Sequence, residues 1–195
     1  MTTARLEAFS DAVIAIIITI MVLELRVPHG TELSDLREVA PVFLVYVLSF
    51  VNLAIYWNNH HHLMVLTERI NGKILWANVH LLFWLSLVPF TTGWMGENEF
   101  APLPTAIYGV DLLLAAIAYY LLQTAIVSEQ GSDSNLARAV GRDLTGKASP
   151  LLFTAGIALS FVTGWLGLAF YIFVALMWLV PDPRIEAVVR SSSSR

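Results

Sequence analysis

The chain has 195 residues, of which 57% are hydrophobic and 13% charged, with a net charge of −4 and no cysteine. Soluble domains are about 45–50% apolar and about 25% charged; a chain of this size cannot hide the excess from water, so the bilayer is its natural solvent. Disulfides, thiolate metal sites and cysteine nucleophiles are excluded, and no Lys/Arg cluster suits nucleic acid.

A membrane-spanning helix needs about 20 mostly apolar residues. The first such segment runs from Ala4 to Leu25 and stops at Pro28-His29-Gly30. It reads as a retained helix rather than a signal peptide: Asp11 precedes its apolar run, Glu24-Leu25-Arg26 follows it, and no small-residue cleavage site comes after. The second segment, Val39 to Trp57, leaves the membrane through Asn58-Asn59-His60-His61-His62. The third, Ile74 to Trp94, contains Pro89, expected to kink the helix or to start its irregular end. A polar turn with Glu97, Glu99, Pro102 and Pro104 leads to the fourth, Thr105 to Val127.

Ser128 to Ser149 is the longest polar loop, and Arg138 to Lys147 within it is expected to form a short surface helix. The apolar stretch Pro150 to Val180 is too long for one straight span. Gly164-Trp165-Leu166-Gly167 is expected to divide it into a tight helical hairpin. The predicted fold is therefore an all-α integral membrane domain of six transmembrane helices, residues 1–181, followed by a polar tail, residues 182–195.

Lys/Arg placement sets the topology. With both termini cytoplasmic, Arg5, Arg69, Lys73, Arg138, Arg142, Lys147, Arg184, Arg190 and Arg195 lie inside, and only Arg26 and Arg37 outside. The outer loops carry Glu32, Asp35, Glu38, Glu97 and Glu99, which either concentrate cations at an outer mouth or simply solubilise the loops.

The first helix holds the most informative residues. Arg5, Ser10 and Asp11 are polar groups at or near membrane depth, where charge is costly and tends to be paired or to face water. Arg5 can also snorkel to the headgroups; Asp11 is too short to reach far. The two lie six residues apart and point in different directions, so each needs a partner on another helix or subunit. Beyond Asp11, residues Ala12, Ile16, Ile20 and Leu23 make one aliphatic stripe with Thr19 beside it. Such a stripe serves ordinary helix packing or a hydrophobic constriction, and spacing does not distinguish them.

Arg5 to Asp11 reads R-x-x-x-F-S-D, with Phe9 and Ser10 inside the motif, and Ala12-Val13-Ile14-Ala15-Ile16 follows. This resembles the signature of the transmembrane protein 175 family, potassium channels of prokaryotes and animal lysosomes, over one six-helix unit. The resemblance implies a homotetramer in a prokaryotic plasma membrane, with the first helix of each subunit lining one pore. Carried over from Asp11, it implies aliphatic rings at Ile16, Ile20 and Leu23 and a polar ring at Thr19. Potassium and other monovalent cations would permeate, with no cofactor, no fixed metal site and no catalysis. There is no T-V-G-Y-G loop, so selectivity would rest on the easier dehydration of potassium. The resemblance also implies that polar residues of the third helix hold the motif, with His80, Trp76 and Asn78 as partners for Asp11, Ser10 and Arg5.

Other readings are weaker. His60-His61-His62 cannot converge on one ion from a regular helix, because successive residues step about 100° around it. Trp57 and Trp94 suit interfacial anchoring, and Asp111 reads as hydrated near the outer interface. Gly156, Ser160 and Gly164, spaced by four, suggest a small-residue packing face on the fifth helix. A secondary transporter would favour internal repeats and a broken first helix, and neither is seen. A membrane-embedded enzyme would need a clustered reactive set, and Asp11 with His80 lacks a third member.

Overall fold

The computed structural model describes residues 2–131, 134, 136, 137 and 144–179. Among them are six α-helices: α1 (Thr3–Leu23), α2 (Leu36–Val65), α3 (Gly72–Glu97), α4 (Pro102–Gln130), α5 (Leu144–Ser160) and α6 (Gly164–Leu179), with a single 3-10 turn, Leu33–Asp35, before α2. The surface helix expected over Arg138 to Lys147 lies outside the described residues except where its end opens α5, and the tail 182–195 lies outside them too.

Helices α1 to α4 are each long and apolar enough to cross a membrane. At 17 and 16 residues, α5 and α6 fall short of the roughly 20 that a straight span uses. The helices alternate in direction. Thr3 Oγ1 donates to the Thr67 carbonyl, Asn71 donates to Glu129, and Gln130 donates to the Leu66 carbonyl, which ties the start of α1, the α2–α3 loop and the end of α4 into one pole. At the opposite pole Arg26 pairs with Glu97 at 2.6 Å.

Helices α3 and α4 form the central pair; α1 packs on α3 and α2 at one edge, and the α5–α6 hairpin packs on α4 at the other. One apolar core joins Leu6, Ile14 and Met21 of α1 to Leu53 of α2, Leu81 and Leu85 of α3 and Leu122 of α4. A second joins Val45 of α2, Tyr108 and Leu112 of α4, Phe153 of α5 and Tyr171 of α6.

Three sequence expectations are corrected. First, α2 does not stop at Trp57 but continues to Val65, 30 residues in all, or about 45 Å. Nothing between Trp57 and Val65 breaks a helix, and a helix needs no apolar side chains to propagate. Second, Pro89 does not begin an irregular end, since α3 runs on to Glu97. Third, the hairpin turns at Phe161-Val162-Thr163 and not at Gly164-Trp165-Leu166-Gly167, whose first glycine begins α6. Gly156 and Ser160 thus share α5, while Gly164 lies on the next helix.

These glycines serve close approach instead. A methyl carbon on Gly164 would sit 1.8 Å from the Phe100 carbonyl oxygen, and one on Gly167 1.9 Å from Ser160 Oγ. Phe100 belongs to the tight α3–α4 turn, where Glu99 and Phe100 have φ of 49° and 60°, left-handed values that are costly without glycine. The turn is held by the Phe100 N–H, which donates to the Met95 carbonyl at 3.1 Å, and by the buried Phe100 ring against Trp165, with centroids 4.4 Å apart. Because the obstacle at Gly164 is backbone, it cannot swing aside. Gly164→Ala is expected to cost about 1–3 kcal/mol, read as a lower thermal unfolding midpoint in detergent; an unchanged midpoint would show that the hairpin shifts freely against the turn.

Candidate functional site

Helix α1 has two faces. Leu6, Ser10, Ile14, Ile17 and Met21, at helical spacing, are buried against α2 and α3. On the other side Ile16 is 56% exposed, Ile20 43% and Leu23 82%. Thr19 is exposed between them, with its hydroxyl donating back to the Ile16 carbonyl at 2.8 Å. Phe9 is half exposed near the N-terminal end. Within one chain this aliphatic face touches nothing large enough to cover it, whereas the buried face is fully engaged.

The N-terminal half of α1 is fixed by a directed hydrogen-bond chain. Asn78 Oδ1 can only accept, so His60 Nε2 carries the proton and donates to it across 2.8 Å. Asn78 Nδ2 then donates to Ser10 Oγ at 2.9 Å, and Ser10 Oγ donates to the Leu6 carbonyl at 2.9 Å. Ser10, His60 and Asn78 are all fully buried, so each link replaces water that cannot enter. His60 Nδ1, left as an acceptor by this tautomer, has no partner.

Two further contacts reinforce the chain. Trp57 Nε1 donates to Asp11 Oδ1 at 3.0 Å, and His61 Nδ1 meets Glu7 Oε1 at 2.7 Å. Glu7 and Asp11 stand four apart on α1, as Trp57 and His61 do on α2, so one helical face of each helix meets the other. The Trp57 and His61 rings stack with centroids 6.3 Å apart. The three consecutive histidines do not converge. His60 turns to Asn78 and His61 to Glu7, and no group of three or more metal-ligating side chains occurs among the described residues.

Of the three α3 residues expected to hold the motif, the structure brings only Asn78 to it. Trp76 is 76% exposed, and His80 accepts a hydrogen bond from Trp84 Nε1 at 2.9 Å, away from α1. The reason is angular. Each lies two residues from Asn78, about 200° around the helix, so Asn78 cannot face α1 unless both face away. Asp11 takes its donor from Trp57, which is therefore more than an interfacial anchor. Arg5 is exposed, and its side chain has no hydrogen bond or ion pair within the chain among the described residues. Trp57, His60 and His61 hold α1 without being marked by the apolar run that ends at Trp57. Their i, i+3, i+4 spacing is the signal that would have found them, once α2 is allowed past Trp57.

Asp111 is also corrected. It is buried at 3% exposure, with Thr91 Oγ1 donating to Oδ2 at 3.0 Å and Oδ1 unpartnered. Because α4 starts at Pro102, Asp111 lies about 14 Å along the helix. Ser49 links Thr92 at 2.7 Å and the Tyr108 hydroxyl at 3.0 Å in the same polar layer between α2, α3 and α4.

A sequence profile of the family described as the endosomal/lysosomal potassium channel TMEM175 matches residues 5–89. A potassium channel of Chryseobacterium sp. (strain P1-3) is 49% identical over 192 residues, covering 98% of this chain and 100% of the relative. A potassium channel of Chamaesiphon minutus (strain ATCC 27169 / PCC 6605) is 31% identical over 178 residues, covering 84% of this chain and 87% of that one. The fold matches the crystal structure of a lysosomal potassium-selective channel TMEM175 homolog from Chamaesiphon minutus, with TM-score 0.81 and 28% identity over 91% of this chain and 96% of that chain. With these relatives matched across nearly its whole length, the chain is a membrane protein that belongs to the TMEM175 family of potassium channels.

Proposed function

We propose that this chain forms a potassium-permeable channel of a prokaryotic plasma membrane, in which four copies set their α1 helices around one central pore. The observation that carries the reading is the uncovered aliphatic face of α1, on an edge helix whose opposite face is clamped by buried polar bonds. One edge helix cannot enclose a pore, so symmetry must supply the rest of the wall. The rings run from Ile16 through Ile20 to Leu23, with Thr19 adding hydroxyls. A ring of branched aliphatics resists wetting, and an ion crossing it must shed part of its water. Potassium sheds water more readily than sodium and is therefore favoured, without a carbonyl filter. In this reading both termini are cytoplasmic, residues 1–181 form the channel domain, and 182–195 a polar tail. Arg5, unpaired within the chain, then faces a neighbouring subunit or the headgroups.

The family is one of channels, so no reaction is assigned to Asp11 or the histidines. The direct test is reconstitution of the purified protein in liposomes loaded with potassium. Flux that is greater for potassium than for sodium is expected; folded protein that passes neither ion would overturn the proposal.

A further inference from the structure

Asp111 is a buried ionisable group that neither the α1 clamp nor the aliphatic face uses. Its Oδ1 is shut off from solvent and has no hydrogen-bond partner, and Oδ2 has one contact, Thr91 Oγ1 at 3.0 Å. An ionised carboxylate offers about four lone-pair sites and no donor. As a carboxylate, Asp111 would fill one of them and leave a charge dry between the two central helices.

No cation answers that charge. The ion pairs among the described residues are Arg26–Glu97 and His61–Glu7, toward the two poles. The titratable groups whose field reaches Asp111 are phenols, Tyr56 of α2 and Tyr108, three residues away on α4. Helix α3 presents hydroxyls only, Thr91 to Asp111 and Thr92 to Ser49. Tyr171 of α6 is turned to the Tyr108 ring and the Thr105 carbonyl, and no described side chain of α5 titrates. Phenols ordinarily ionise near about 10, so the groups around Asp111 are uncharged at neutral pH.

A protonated carboxyl fits the contacts. Thr91 Oγ1 has three acceptors in reach, Asp111 Oδ2 and the carbonyls of Leu87 at 3.3 Å and Val88 at 3.2 Å, and one proton to give. With a proton on Oδ2, the acid O–H donates to Thr91 Oγ1, and the Thr91 hydroxyl donates to those carbonyls. Each hydrogen then has an acceptor. What stays dry at Oδ1 is a neutral carbonyl oxygen, a far smaller loss than a buried charge.

We propose that Asp111 is a proton-binding site that holds its proton in the folded chain and, through the Thr91 hydroxyl, locks α4 to α3. To release the lock, the O–H bond breaks, the proton passes to water admitted by a local opening, and the electron pair stays on the carboxylate. Thr91 then turns back to Oδ2, and the uncompensated charge drives the central pair apart. An unfolded aspartate is ionised above about 3.9, so folding takes up a proton at neutral pH and stability falls as pH rises. Helix α3 also carries Asn78, so the helix held by the proton is the one that fixes α1. The site lies outside α1, and its test reads proton occupancy rather than flux, so it stands or falls independently of the pore.

The test is infrared difference spectroscopy of the full chain in lipid membranes. The carbonyl stretch of a protonated carboxyl is expected at neutral pH, shifted by heavy water, lost in Asp111→Asn, and moved to higher frequency in Thr91→Val, which removes the acceptor of the acid O–H. Thermal unfolding in detergent gives a second reading. Asparagine donates to Thr91 from the same position as the acid, so Asp111→Asn should match the wild type in stability at neutral pH. Between about pH 6 and about pH 9 its midpoint should fall less than that of the wild type; the histidines titrate in both proteins and cancel in the difference. A protonated-carboxyl band that is absent or survives Asp111→Asn, an Asp111→Asn protein much less stable than the wild type, or equal pH dependence of the two would each refute the site. So would stabilisation by sodium or potassium that Asp111→Asn abolishes, which would make the occupant a metal cation.

Discussion

Ile20→Asn is expected to raise potassium conductance about tenfold and to blur discrimination against sodium, a change that corresponds to a barrier lowered by about 1.4 kcal/mol. Ile20 lies mid-stripe on the uncovered face of α1, between Ile16 and Leu23. If four copies meet there, one substitution replaces a complete aliphatic ring with four carboxamides. These wet the constriction and offer oxygen ligands to a partly dehydrated ion. Sodium gains more than potassium from such ligands because its dehydration cost was the greater obstacle. Single-channel recording in planar bilayers measures both effects. The competing arrangement turns this face to lipid, where Asn would cost insertion energy and leave conduction as it was.

The absence of native cysteine makes a second readout clean. Cysteine placed singly at Ile16, Ile20 or Leu23 should react with a membrane-impermeant cationic thiol reagent and block current. A lipid-facing cysteine would not react. Unmodified current from all three positions would remove α1 from the pore.

The general architecture was legible because it depends on coarse quantities, chiefly the length of apolar runs and the placement of Lys and Arg. What was not legible depended on direction. The polar run Asn58 to His62 reads as an exit from the membrane, yet polarity does not end a helix. Within α2 those residues keep helical spacing, and Trp57, His60 and His61 reach α1 or its partner on α3. Gly164 and Gly167 suggest a turn because glycine is common in turns. Here they are needed where the Phe100 carbonyl and Ser160 come too near for a side chain. Within α3 the family resemblance groups Trp76, Asn78 and His80, although a step of two residues carries a side chain nearly to the opposite face. Asp111 reads as near the interface when the span is counted from Thr105, whereas Pro102 opens α4 and sets it a turn deeper.

Asn78→Leu should loosen the inner end of α1 more than any other single substitution in the motif network. Asn78 serves two buried partners at once, accepting from His60 and donating to Ser10. Leucine keeps the branched four-atom skeleton, though with more bulk, and leaves the His60 Nε2–H without an acceptor and Ser10 Oγ without a donor. Leaving a buried polar group unpaired costs about 1–3 kcal/mol, so the two together approach about 2–6 kcal/mol. Hydrogen bonds between membrane helices often measure lower, about 0.6 kcal/mol on average, because the separated helices find other partners. The fully buried setting of all three residues argues for the upper range here. Ser10→Ala removes only one link and keeps the His60–Asn78 bond, so it should cost clearly less. The double variant then separates the network from simple packing. If Ser10 and Asn78 act through one bond, Ser10→Ala with Asn78→Leu should cost less than the sum of the single losses. Thermal unfolding in detergent supplies the energies, and open probability in bilayers reports whether a loosened α1 changes the conducting state. Strictly additive losses, or an Asn78→Leu protein as stable as the wild type, would mean that α1 is held by its apolar contacts with Leu81 and Leu85 and that the polar chain contributes little.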